Sequence, residues 1–401
     1  MRYAIALLLV ALAALAEAPE RLPVRCLHVG EGETSGSMVS VLRGKLTLAQ
    51  DGEAKELPLG QFREILFPEK PPLAVPPPFT IWLDQAGRLS ARALRAGGAP
   101  AAVDVSGYGW EGQNVPLASL RALAADHFLG GASAADQEEF QRLQEEPPVG
   151  FDWVSVAGEA RHGTISCVVE EVSADGLRVA LAGARRTIPL SAVRWIVFSP
   201  APGARQEERT HVIELADGTR IPAGSLELSN GMLTAQRHKA RYAVQAERLQ
   251  RIQVASDAYV YLSDLEPESV ELQPFLDVVW RPRFDRSAAG GPLILDGRTY
   301  PKGIGMHART EMAFAIDGRY SRFHATIGVD DAGGALGRVV FGVLADGRPV
   351  FQSDPVGGHD PARTLALDVT GARRLTLVAD FGSPVEASGN LADWAEARLV
   401  R

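Results

Sequence analysis

The sequence predicts an all-β chain: tandem small barrel-like β modules, one helical spacer, and a larger β domain at the C-terminus. Three observations carry this expectation. One spaced pattern recurs along the first two-thirds of the chain. The stretches upstream of each copy alternate polar and apolar residues with period two, the signature of half-buried strands. Finally, 40 Gly and 26 Pro among 401 residues supply many turns and argue against a helical bundle.

The recurring pattern is apolar, Pro, apolar, two residues, apolar, Arg, one residue, apolar. It reads Leu57-Pro58-Leu59 with Phe62-Arg63 and Ile65, then Val115-Pro116-Leu117 with Leu120-Arg121 and Leu123, then Ile188-Pro189-Leu190 with Val193-Arg194 and Ile196. A degraded copy is Val244, Leu249 and Ile252, with Gln250 in place of the Arg. Upstream, Ser37 to Leu48, Gly163 to Leu181 and Thr210 to Leu228 alternate, and Asp51-Gly52, Asp175-Gly176 and Asp217-Gly218 mark hairpins. The expected modules are 21–68, 79–125, 150–200 and 208–256. Four or five strands in so short a unit resemble SH3-like or Sm-like small barrels, whose closure hides strand edges. Units that small bury little surface alone, so neighbouring modules are expected to pack in pairs. The recurring Arg63, Arg121 and Arg194 read as salt-bridged edge residues or as a shared ligand site.

Between the second and third modules, at 126–148, a helical spacer is expected. Ser133 with Asp136 forms an N-cap box, Phe140 and Leu143 form a short apolar edge, and Pro147-Pro148 stops the helix. Pro71-Pro72 and Pro76-Pro77-Pro78 mark a stiff linker between the first two modules.

Met1-Arg2 followed by the apolar run Tyr3 to Ala16 reads as a signal peptide over 1–16, with Ala14-Leu15-Ala16 as the small-x-small cleavage site. An uncleaved anchor is the rival reading. The expected location is secreted or periplasmic, in a bacterial envelope, with no transmembrane segment after cleavage. Net charge is −8, from 41 Lys and Arg against 49 Asp and Glu, with no basic run. That removes nucleic acid as a partner, for the barrel-like modules as well. Cys26 and Cys167 stand among apolar residues in different modules. They read as two buried strand thiols or, since export permits it, a disulfide.

From Tyr259 the texture changes. Gly297-Arg298-Thr299-Tyr300-Pro301-Lys302-Gly303-Ile304-Gly305-Met306-His307-Ala308 is followed by Ile327-Gly328-Val329-Asp330-Asp331, Asp346-Gly347 and Asp368-Val369-Thr370-Gly371. The chain ends with Ala392-Asp393-Trp394-Ala395-Glu396-Ala397-Arg398-Leu399. In this order, these motifs closely resemble the NPCBM family of carbohydrate-binding modules over 259–401. The resemblance implies a jelly-roll β-sandwich that binds glycans, galactose-containing ones in some members, often with a structural calcium ion and with no catalysis by the domain itself. The stretch 381–391 before the Asp-Trp motif departs from the Gly/Asp-rich loop of the family.

A sugar site needs an aromatic face and planar donors and acceptors. His307, Arg309, Asn390, Asp393 and Trp394 have that chemistry and are the candidate carbohydrate-binding residues. Asp330 and Asp331 offer the hard oxygens that Ca²⁺ prefers and are the candidate metal ligands. Asp380 is a further loop carboxylate. Each has a plainer reading: Trp394 as core, His307 as a buried histidine bonded to backbone, and the Asp pair as a turn former before Ala332-Gly333-Gly334. Gly303 and Gly305 around Ile304 suggest close backbone approach.

No His-Glu-x-x-His, Gly-x-Ser-x-Gly or Walker pattern is present, and the eight His show no metal-ligand spacing. The sequence therefore reads as an exported, non-catalytic glycan-binding protein, its β modules serving as a stalk or interaction array for envelope proteins. The alternatives are an envelope structural or protein-interaction protein without sugar binding and, third, a glycoside hydrolase with an unfamiliar β-rich catalytic domain.

Overall fold

The computed structural model describes residues 21–71, 75–158, 163–200, 210–273, 280–382 and 389–401. The signal segment 1–16, Pro72, His162 and most of the stretch before the Asp-Trp motif lie outside them. The chain is all-β and divides into two compact units, 1–255 and 256–401.

The first unit contains one five-stranded plan four times. In the first module, Leu22–His28 pairs with Glu33–Leu42, which pairs with Lys45–Gln50, which pairs with Glu53–Pro58. One 3-10 turn, Leu59–Gln61, then delivers Phe62–Leu66 back onto Leu22–His28. The modules that begin at Phe79, Asp152 and His211 repeat this order. Asp51 and Gly52 both sit at positive φ, 49° and 87°, the conformation a two-residue hairpin loop needs.

The recurring sequence pattern is the joint between the fourth strand and the closing strand. Pro58, Pro116 and Pro189 precede the 3-10 turns with φ −58°, −66° and −55°. A proline holds that angle without cost and gives up an N–H the joint does not use. Gln245 takes φ −63° in the fourth copy, so the geometry survives loss of the ring. The next amide is the one that bonds: Leu59 N donates to Gly44 O at 2.8 Å, Leu117 N to Ala101 O at 2.9 Å, and Ala246 N to Gly231 O at 2.8 Å. The apolar positions after the turn, such as Phe62, Ile65 and Ile196, are fully buried.

The closing strands also join the modules. Phe62–Leu66 pairs with Leu249–Gln253, tying the first module to the fourth. Leu120–Ala125 pairs with Val193–Val197, tying the second to the third. Trp110–Pro116 pairs with Ala240–Gln245, tying the second to the fourth. The hydrogen-bonded order is thus first, fourth, second, third, and one hydrophobic cluster runs through all four. Among the described residues, sequence neighbours pair only in the case of modules two and three. Buried ion pairs cross the same seams, Arg237 to Asp84 at 2.5 Å and Arg251 to Glu64 at 3.8 Å.

The expected helix spans Ala134–Glu145, and the Ser133 hydroxyl accepts from Asp136 N at 3.2 Å. It is a clamp rather than a loose spacer. Phe140 and Leu143 pack with Phe128, Trp195 and Val197 over the seam between modules two and three. Arg194 is buried, 3.0 Å from Asp136 and 5.0 Å above the Phe128 ring. Arg121 is exposed and Arg63 lies 3.6 Å from Glu64, so the three recurring arginines do not form one site. Cys26 and Cys167 are both buried without a disulfide. Burial pushes their thiols up to about 12 and about 11.

The second unit is a β-sandwich. One sheet runs Arg283–Phe284, Gly303–His307, Leu391–Val400, Arg322–Val329, Arg363–Asp368, with Tyr259–Tyr261 also on Leu391–Val400. The other runs Ser269–Leu272, Thr310–Ala315, Arg374–Phe381, Arg338–Ala345, Arg348–Gln352. Phe314, Phe323, Phe341, Leu377 and Trp394 fill the space between the sheets.

One half-buried histidine in the first unit gives a pH signature. His211 Nδ1 accepts from Ala255 N at 3.1 Å, and burial pushes its pKa down to about 4. The folded protein therefore resists a proton that the unfolded chain accepts near the ordinary value of about 6.5. Stability contributed by the neutral ring is present above that value and is lost as pH falls towards 4. The melting temperature of wild type should drop more steeply between pH 7 and 4 than that of His211→Gln, which keeps an acceptor and does not titrate.

Candidate functional site

The end of the Gly303–His307 strand carries the candidate sugar site. Its neighbour in the sheet is Leu391–Val400, with His307 opposite Leu391. Ala308 N donates to Asn390 O at 3.2 Å, which holds the two segments together. The His307 ring stacks on Trp280, centroids 5.3 Å apart and planes 11° from parallel. His307 is 8% exposed and its Nδ1 meets Ala308 O, whereas Trp280 is 39% exposed. Buried imidazole thus backs an open indole.

Two residues along the chain from His307, Arg309 anchors a polar network. Arg309 Nε donates to Asp380 Oδ1 at 3.0 Å and its Nη1 donates to Gln273 Oε1 at 3.0 Å, with the guanidinium 5.9 Å from the Phe381 ring centroid. Arg309 and Asp380 are about half exposed. An exposed aromatic face can take apolar C–H groups, and a planar guanidinium with a carboxylate and an amide can take hydroxyls.

Of the five candidate sugar residues, His307, Arg309 and Asn390 come to this end of the sandwich. Asn390 is fully buried and its Oδ1 accepts from Arg338 N at 2.8 Å, so it positions loops. Trp394 and Asp393 require correction. Trp394 is fully buried, 5.3 Å from Phe341 at 75°, and both its faces are closed by core. Strand alternation sends its neighbour Asp393 to the opposite side of the sheet, where it too is fully buried. Glycines make that burial possible. A Cβ on Gly305 would meet Arg286 O at 2.4 Å, and one on Gly303 would meet Trp394 O at 2.5 Å, the close approach their spacing suggested. Trp280 was not anticipated from sequence. It stands beside Arg281-Pro282-Arg283 in a stretch without period-two alternation, and its only signal is an aromatic with no core pattern to absorb it.

The expected metal pair has visible work of its own. Asp330 accepts from Ala332 N at 2.9 Å and from Ile294 N at 3.1 Å. Asp331 accepts from Asp296 N at 3.1 Å and Gly297 N at 2.9 Å. Three of the four oxygens staple the Leu293–Leu295 and Arg298–Tyr300 hairpin to the turn after Arg322–Val329, and the fourth closes that turn on Ala332. Among the described residues no three His, Cys, Asp or Glu side chains assemble as a metal-ligand set. The Asp393 carboxyl group lies nearby, fully buried against Asp330, to which its proton can be donated.

Burial, and then the neighbouring Asp330 and Asp331 carboxylates, push Asp393 up to about 10. The folded protein keeps this proton where the unfolded chain, with an ordinary value of about 3.9, has lost it. Stability is therefore complete below the unfolded value and is lost as pH rises towards 10. Asp393→Asn should preserve the fold and flatten the fall in melting temperature of the second unit between neutral and alkaline pH.

Residues 258–400 match the family model of the NPCBM/NEW2 domain. A curated protein of Renibacterium salmoninarum, named "Putative endo-alpha-N-acetylgalactosaminidase", is 38% identical over 113 residues, which are 28% of this chain and 7% of that protein. Among solved structures, CBM51 from Clostridium perfringens GH95 in complex with methyl-galactose has 27% identity and a TM-score of 0.33, and the match covers 35% of this chain and 99% of that one. The CBM51-2 and INT domains of Clostridium perfringens ZmpB have 23% identity and a TM-score of 0.33, over 44% of this chain and 37% of that one. The C-terminal unit of this chain is an NPCBM/NEW2 domain.

Proposed function

We propose that the protein is an exported, non-catalytic glycan-binding protein that reads sugar at the Trp280–His307 end of its sandwich. The observation that carries this reading is the half-open Trp280 ring backed by His307, two residues before Arg309 and its Asp380 and Gln273 partners. The indole offers a stacking face for sugar C–H groups, and the guanidinium and carboxylate offer paired donors and acceptors for vicinal hydroxyls. The family match over 258–400 supports it. Galactose-containing glycans are the first class to test. In this reading the four-module unit is a platform that presents the sandwich within the envelope.

A glycan array probed with the full chain should show binding to galactose-containing or cell-wall glycans. Trp280→Ala should weaken it by about tenfold or more, the scale of a lost stacking contact, with an unchanged melting temperature. Absence of binding to any glycan, with calcium present, would sink the reading in favour of a protein-interaction role. Chromogenic glycosides should remain uncleaved by the same preparation. Calcium has its own test. A melting temperature that falls on chelation assigns an ion to Asp330 and Asp331, and an unchanged one leaves those carboxylates to their amide donors.

A further inference from the structure

We infer that the four-module unit self-associates head to tail, the fourth strand of module one pairing with the fourth strand of module three in a second copy. The inference does not depend on sugar binding. It starts from an asymmetry among equivalent strands. In modules two and four the fourth strands, Trp110–Pro116 and Ala240–Gln245, pair with each other. In modules one and three the equivalents, Glu53–Pro58 and Ala184–Ile188, pair only inwards, with Lys45–Gln50 and Gly176–Leu181, among the described residues. Both strands are exposed along nearly their whole length. An exposed strand edge is a template for another strand.

Backbone geometry shows what each edge offers. The turns Asp51-Gly52 and Ala182-Gly183 have positive φ at both residues, so Gln50 with Glu53, and Leu181 with Ala184, form the hydrogen-bonded closing pairs. Alternation then points the N–H and C=O of Ala54 and Glu56 outwards in module one, and those of Arg185 and Thr187 outwards in module three. Ala54, Arg185 and Arg241 hold the same place relative to Pro58, Pro189 and Gln245, as do Glu56, Thr187 and Ala243. In module four, Arg241 and Ala243 face Gln113 and Glu111 of module two. The outward groups of modules one and three therefore sit where the same fold already makes this contact once.

Charge selects the partner. Glu53–Pro58 carries two Glu and one Lys, and Ala184–Ile188 carries two Arg and no acid. Pairing three with three sets arginine strand against arginine strand, whereas pairing one with three sets a strand of net negative charge against one of net positive charge. The present partners of these side chains, Lys45 to Glu56 at 3.0 Å and Glu170 to Arg185 at 2.9 Å, are exposed surface pairs, which contribute little and exchange readily. Val168, 44% exposed, lies in the row Val168, Ala180, Arg185 and adds apolar surface beside the edge. Because the two edges are different surfaces, the contact is heterologous and repeats from copy to copy.

Sedimentation velocity of the full chain tests this. The wild type should show a sedimentation coefficient that rises with concentration through about the micromolar to sub-millimolar range and falls back at about 1 M salt. Glu56→Pro and Thr187→Pro each remove one outward N–H and leave the module's own ladder intact. Each variant alone should stay monomeric, and an equimolar mixture should stop at a dimer, since each copy keeps the edge the other lacks. Arg185→Glu with Arg186→Glu should also abolish growth and serves if a proline variant fails to fold. A wild type that stays monomeric throughout overturns the inference. So does a proline variant that associates alone, because that requires like-with-like pairing or another surface.

Discussion

Every small β unit must satisfy the backbone groups at its strand edges, and the first unit is organised by that requirement. Five short strands close on themselves only when the chain turns sharply after the fourth strand and returns beside the first. A single 3-10 turn makes that reversal in all four modules. The closing strand it delivers still has one open edge. The modules satisfy it by pairing closing strands with each other, first with fourth and second with third. No module has to bury enough surface alone, because the core is continuous across the seams. The helix Ala134–Glu145 and the Arg194–Asp136 pair then cover one of these seams.

The sandwich meets the same requirement with two stacked sheets. Leu391–Val400 runs between Gly303–His307 and Arg322–Val329, so its side chains alternate between core and outer face, both covered. That is why an Asp and a Trp adjacent in sequence end up buried on opposite sides of one strand. A carboxyl group so enclosed stays neutral by keeping its proton. At the strand end, by contrast, Trp280 stays partly exposed, stacked on His307.

Parts of this were legible in advance because they follow from short-range rules. The Pro-led pattern is visible as a repeat because proline fits the φ that the turn at the end of each module requires. Ser133 with Asp136 marked the helix start, and the glycines at 303 and 305 marked close packing. The site was harder to read. Residue chemistry alone favoured Trp394, while the strand's alternation, an equally visible feature, places it in the core. Trp280 carries no periodic signal, and its role depends on a histidine distant in the chain.

The sequence by itself determined the all-β character, the repeated module and the change of domain near Tyr259, because period-two alternation, turn residues and spaced motifs are local. Tertiary structure decided which modules pair and which aromatic faces solvent. Modules one and four meet across most of the unit's length in sequence, and strand pairing at that separation depends on edge hydrogen bonds that any of the four closing strands could have offered. Which ring stays open is settled in the same way, by what happens to pack beneath it.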